Sequence, residues 1–203
     1  MRTLTNGAPK TGTHALQRAV QLFGLTPDEA VHDHVNYADK DKTEKYDRHI
    51  HIIRSPRNVL VSYIRWTDRG HPNAKDALIK HMPRLIAFME RFKPWIYDDS
   101  CMTVRYEDLM TDRSTLERIG EYIGMPVVED HFELMFGRTH TFSADFELDE
   151  NGDKKPWRPS RWQDYWKAGD EVDQLWHKLG GGRLEREMLY DPNQQHVRDL
   201  NAH

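Results

Sequence analysis

Two short strand-like segments of this chain each run into a basic turn and then a helix, and this repeated junction limits the possible folds more than any other feature. The first lies within TLTNGAPKTGTHALQRAV: Arg2 to Thr5 reads as a strand, and a turn-forming stretch with Gly7, Pro9 and Gly12 follows. Leu16, Ala19, Val20 and Phe23 then fall at i, i+3, i+4 and i+7, one face of a helix, with Gly24 suited to its C-terminal cap. The second is HIHIIRSPRNVLVSYIRW: His49 to Ile53 reads as a buried strand, and Ser55-Pro56 opens a helix through about Trp66.

The rest of the chain continues the alternation. TPDEA predicts a helix start, with Thr26 as N-cap, Pro27 at N1 and Glu29 closing a capping box. His32 to Asp47 is polar and charged, which predicts a surface loop, and DRGHPNA predicts another. A long amphipathic helix carries Leu78, Met82, Leu85, Phe88, Met89 and Phe92 on one face, and CMTVRY reads as a strand. Ser114 and Glu117 predict a capping box before a helix to about Ile123. Asp149 to Ser160 reads as a loop, and a last helix is expected from Glu171 to Leu189, interrupted at Gly180 to Gly182. Strands alternating with helices predict an α/β fold of three layers, a central, mostly parallel sheet with helices on both faces. One domain is expected over residues 1–190, with a polar, frayed tail over 191–203.

Composition excludes several classes of function. The 203 residues are 31% charged and 37% hydrophobic with a formal net charge of −4, which argues against a broadly basic nucleic-acid surface. No window approaches the roughly 18 apolar residues of a membrane span. The start, MRTLTNGAPK, has no apolar signal-peptide region. A single cysteine, Cys101, fits a reducing, cytoplasmic compartment and reads as a small buried residue on a strand.

A strand, a tight loop and a helix start bring backbone N–H groups and a helix dipole to one point, which attracts an anion. Lys10 adds a full charge there, and the hydroxyls of Thr11 and Thr13 can donate hydrogen bonds. The same stretch also fits an ordinary turn with a surface lysine. In nucleoside triphosphatases lysine directly follows the second glycine of the loop. Here Lys10 precedes Gly12 by two positions, which disfavours a nucleotide kinase. At the second junction Arg54 ends a strand at its carboxyl end, where ligands bind in open α/β sheets, and Ser62 lies eight positions on within the helix. Two basic junctions predict a ligand with two separated phosphates.

At these residues the chain resembles the sulfotransferases that use 3′-phosphoadenosine 5′-phosphosulfate (PAPS). GAPKTGT is similar to their 5′-phosphosulfate loop, RSPRNVLVSY to their 3′-phosphate motif, and TVRYEDL to their third recurring segment, all in the family's order. WRPSRWQDYWK resembles a late loop whose basic residues close over the 3′-phosphate. The resemblance implies a P-loop-NTPase-like sulfotransferase fold and PAPS as co-substrate, with adenosine 3′,5′-bisphosphate (PAP) as product. It implies that Lys10, Thr11, Gly12 and Thr13 hold the 5′ side, with His14 where many members have threonine. It implies Arg54 and Ser62 at the 3′-phosphate, Tyr106 and Phe142 near the adenine, and Arg158 or Arg161 as the late basic residue.

Sulfuryl transfer is an in-line displacement in which Lys10 would neutralise charge on the leaving oxygen. The acceptor hydroxyl must lose a proton, and His34, His32 and Glu29 are the candidate bases. His34-Val35-Asn36-Tyr37 is similar to the family's His-Leu-Pro-Tyr element, which favours His34. The pairs His32/His34 and His49/His51 raise a zinc site, but no four-ligand signature accompanies them, so no metal is expected. Tryptophans 157, 162 and 166 suit either core packing or an acceptor wall. The short chain leaves little room for substrate loops, which favours an open site for a glycan over an enclosed small-molecule pocket. A nucleotide-binding homologue without catalysis is the alternative from another class.

Overall fold

The computed structural model describes residues 1–67, 74–127 and 161–188. Phe142, Trp157 and Arg158 lie outside the described residues, as do the expected loop at 149–160, most of DRGHPNA and the tail. Among the described residues four strands form one parallel sheet in the order β2-β1-β3-β4: β1 (Thr3–Asn6), β2 (Ala30–Asp33), β3 (Arg48–Ile53) and β4 (Met102–Arg105). The chain leaves β1 for one side of the sheet and returns to its other side as β3. That reversal opens a crevice at the carboxyl ends of β1 and β3, where open α/β sheets bind ligands.

Strand alternation divides the core in two. Ile50 and Ile52 pack with Leu16, Ala19 and Val20 of α1 (Thr13–Leu22) and with Leu116, Ile119 and Ile123 of α5 (Arg113–Ile123). Leu4 and Ile53 pack against α2 (Pro56–Thr67) and α3 (Ala74–Glu90), through Val59, Leu60, Leu78, Met82 and Met89. Trp166 and Trp176 extend that second cluster onto α6 (Glu171–Lys178), and Leu184 onto α7 (Gly181–Glu187). Each fully buried leucine or isoleucine contributes about 1.5–3 kcal/mol, so the two clusters hold the layers together. The short helix α4 (Tyr106–Leu109) follows β4 directly.

Several sequence expectations shift in the structure. β1 stands one residue later than Arg2–Thr5, because Arg2 is exposed while Asn6 is buried with its side chain fully engaged. At TPDEA half of the capping box forms: the Thr26 N–H and hydroxyl each donate to the Glu29 carboxylate at 2.9 Å, while the Glu29 N–H bonds the Thr26 carbonyl at 3.0 Å instead of its hydroxyl. Only a turn follows: Ala30 enters β2 opposite Thr3, and burial against the sheet overrides the local helix signal. His32 is therefore a strand residue, and the expected loop after it contains a 3-10 turn at Tyr37–Thr43. The cap of α5 is Asp112, which accepts the Ser114 N–H at 2.9 Å; Ser114 lies inside the helix and Glu117 faces Arg113. The expected last helix is two, α6 and α7, separated at Gly180 with φ 88°. A Cβ on Gly181 would stand 2.2 Å from the Trp176 ring, so the helix pair closes tightly only with glycine there. Cys101 is half-buried with its thiol donating to the Trp95 carbonyl, and burial pushes its pKa up to about 12. Among the described residues no helix is long and apolar enough to cross a membrane.

His49 and His51 point into the second cluster, with ring centroids 4.4 and 6.4 Å from that of Trp95. Burial lowers His49 to about 4 and His51 to about 3. Both rings stay neutral in the fold, whereas the unfolded chain protonates them below about pH 6.5. Their contribution is therefore full above that pH and is lost as pH falls from 6.5 toward 4. Denaturant unfolding at pH 7.5 and pH 5 should show a loss of about 2 kcal/mol for each ring. His51→Leu should flatten the profile; equal stability at the two pH values would contradict the neutral-core assignment.

Candidate functional site

The carboxyl ends of the strands carry the residues singled out by sequence. The loop after β1 is fixed by Asn6, whose Oδ1 accepts the N–H of Gly7 at 2.8 Å and of Val35 at 2.9 Å. Its amide donates in turn to the Val35 carbonyl at 2.9 Å. One buried side chain thus ties the first loop to the segment after β2, and sequence patterning gave no signal of it. Within the loop Lys10 is left-handed with φ 71° and Gly12 has φ 107°. Left-handed residues of this kind open a concavity at the start of α1, a nest suited to an anion, with the Thr11 N–H itself taken by the Ala8 carbonyl at 3.1 Å. Thr13 is the first residue of α1 and is buried. The Thr11 hydroxyl donates to the Ala8 carbonyl at 2.7 Å, so its single proton closes the loop rather than facing out.

The two junctions meet. The Arg54 Nη1 donates to the Lys10 carbonyl at 3.2 Å. Its guanidinium carbon lies 4.5 Å from the centroid of the Tyr106 ring, and Tyr106 backs onto Gly12. A Cβ on Gly12 would approach the Tyr106 ring to 2.3 Å. Arg54 is 5% exposed and Tyr106 is 7% exposed, so both are held from behind. Burial raises the Tyr106 pKa against the opposing pull of Arg54, which keeps its phenol neutral. The Lys10 ammonium lies 4.3 Å from the centroid of the exposed Trp66 ring, one turn after half-buried Ser62 on α2. Gly12→Ala should therefore cost about 1–3 kcal/mol, through strain and displacement of Tyr106. A melting temperature equal to that of the wild type would contradict that contact.

Three imidazoles line the other side of the loop. The centroid of His32 is 4.2 Å from that of His14 and 4.8 Å from that of His34. His34 Nδ1 lies 2.6 Å from the Gly7 carbonyl, so Nδ1–H donates and Nε2 of the neutral ring keeps its lone pair. Burial, reinforced by its histidine neighbours, lowers His32 to about 4, which makes it a weak base; His14 is also lowered, chiefly by burial. Glu29 precedes β2 at the amino end of the sheet, about 10 Å of strand from the loop, and its carboxylate is engaged by Thr26. Among the described residues no group of three His, Cys, Asp or Glu side chains forms a metal site.

From Arg161 onward the late segment packs on the first turn of α2, where the Trp162 ring lies 4.5 Å from the Arg57 guanidinium carbon. Arg161 is exposed just before the 3-10 turn Trp162–Asp164, and Trp162 packs on Trp166 with ring centroids 5.3 Å apart. Arg57, three residues after Arg54, is buried: its Nε donates to Glu185 at 2.8 Å and its Nη1 to Asp173. The sequence showed Arg57 only as part of a basic motif; the carboxylates that engage it lie far along the chain on α6 and α7.

No protein-family model and no curated protein matches the chain. Solved structures do. Mouse sulfotransferase SULT7A1, complexed with PAP, is similar at TM-score 0.65 and 16% identity over 91% of this chain and 83% of that one. Retinol dehydratase, in complex with androsterone and the inactive cofactor PAP, is similar at TM-score 0.65 and 13% identity over 97% of this chain and 83% of that one. The parallel α/β sheet flanked by helices is thus the sulfotransferase fold.

Proposed function

We propose that the chain is a sulfotransferase that moves a sulfuryl group from PAPS to a hydroxyl or amine by in-line displacement. The observation that carries this is the contact between the two basic junctions, in which Arg54 binds the Lys10 carbonyl and covers the ring of Tyr106 beside Gly12. That arrangement offers two cationic points on one rigid corner, the layout a 3′,5′-bisphosphorylated nucleotide needs. Both structural relatives were solved with PAP.

In this reading the nest from Lys10 to Thr13 takes the 5′-phosphosulfate, with His14 at its rim. Arg54 and Ser62 take the 3′-phosphate, assisted by Arg161, and Tyr106 sits near the adenine. The Lys10 ammonium leaves the face of Trp66 to meet the oxygen between phosphorus and sulfur as that bond breaks. The acceptor proton passes to Nε2 of His34, whose other nitrogen is anchored on Gly7. Asn6 supports both partners, since it fixes the loop and the segment carrying His34. Phe142 and Arg158 keep the roles that the resemblance implies. Transfer of labelled sulfate from PAPS to a panel of alcohols, phenols, amines and sugars tests the reaction. Transfer to any class is the expected result. Nucleotide binding with no turnover on the panel would favour a non-catalytic homologue, and magnesium-dependent ATP consumption a kinase.

A further inference from the structure

We propose that Asn58, backed by Arg57, is a positioning residue for the second phosphate site, fastening the late segment so that Arg161 meets the 3′-phosphate. This rests on the sulfotransferase reading above. Asn58 Oδ1 accepts the Trp162 N–H at 3.0 Å, a bond between positions 104 residues apart. Asn58 and Ser62 are four residues apart on α2 and share a helix face. The chain entering Trp162 is therefore pinned on the face that carries Ser62, near the start of the helix that Arg54 precedes. Arg161 is the residue immediately before that pinned N–H, and it is exposed.

Arg57 supports the pin from beneath. Its guanidinium carbon lies 4.5 Å from the centroid of the Trp162 ring and 5.7 Å from that of Trp176. Its nitrogens reach Asp173, Glu185 and His177, the last at 3.3 Å, so α6 and α7 are locked onto the first turn of α2. Trp162 is thus held by its backbone on Asn58 and by its ring on Arg57. One short stretch, RSPRN, supplies the phosphate arginine and the anchor of the segment that would cover the phosphate.

A merely structural role would lower affinity for every nucleotide, whereas a positioning role removes only what the 3′-phosphate contributes. Calorimetric binding of PAP and of adenosine 5′-monophosphate separates them, in the wild type, Asn58→Ala, Arg161→Ala and the double variant. Alanine suits a half-buried helical position, so Asn58→Ala should fold. The single variants should each weaken PAP binding about tenfold and leave monophosphate binding unchanged, and the double variant should bind PAP no more weakly than Arg161→Ala. Wild-type affinity for PAP in Asn58→Ala, equal loss of both nucleotides, or multiplicative loss in the double variant would each overturn the assignment. A wild-type protein that does not prefer PAP over the monophosphate would overturn the sulfotransferase reading with it.

Discussion

Lys10→Ala is expected to lower sulfuryl transfer by about 10²–10³-fold, the usual effect of removing a preorganised charge from a developing anion. The fold should barely notice. Lys10 already sits at φ 71°, and alanine there meets the same backbone strain because both residues carry a Cβ. Among the contacts given up is the ammonium over the exposed Trp66 ring, worth about 0.5–1 kcal/mol at a surface. The Lys10 carbonyl still accepts from Arg54, so the junction keeps its shape. Steady-state transfer rates and a melting curve on the same preparation separate the two effects. Wild-type turnover in the alanine variant would remove Lys10 from the chemistry.

Arg57→Met should destabilise the fold by about 3–5 kcal/mol. Arg57 is 4% exposed, and the carboxylates of Asp173 and Glu185 around it are 8% and 5% exposed. Removing the guanidinium leaves two buried carboxylates without their cation. Burial by itself raises the Asp173 pKa; the Gly169 N–H and Arg57 outweigh it and hold that carboxyl low. The variant should therefore recover stability as pH falls and the stranded Asp173 carboxyl takes up a proton. Changing Asp173 and Glu185 to leucine in the same chain should restore much of the loss, since a well-packed apolar trio often equals a buried ion cluster. Urea unfolding at neutral pH measures it, and a loss below about 1 kcal/mol would show that the cluster carries little.

What sequence revealed and what it hid follow from the range of the forces. The junctions were legible because they are local: Gly7 and Gly12 mark the turn, Pro56 marks a helix start, and Ile50 and Ile52 mark a buried strand. The β2 strand was hidden because TPDEA is a sound helix start, and only pairing with β1 makes the chain extend at Ala30. Arg54 and Lys10 could be named as separate cations, but not that one binds the carbonyl of the other. Arg57 looked like its neighbours in a basic motif, because Asp173 and Glu185 lie more than a hundred residues away. Asn6 carried no signal in the sequence, although its side chain places both the loop after β1 and the segment with His34. His34 was favoured over His32 only by the resemblance of its neighbours; burial leaves His32 at about 4, while His34 is anchored through Nδ1 on Gly7.

In the proposed function the two basic junctions form one grip for a 3′,5′-bisphosphorylated adenosine. The most direct measurement is the melting temperature of the wild-type chain with PAP, set against the same concentration of ATP with magnesium. A larger rise with PAP is the predicted result, because only that ligand can engage the Lys10 loop and Arg54 together. Equal rises, a larger rise with ATP, or no rise with PAP would contradict it.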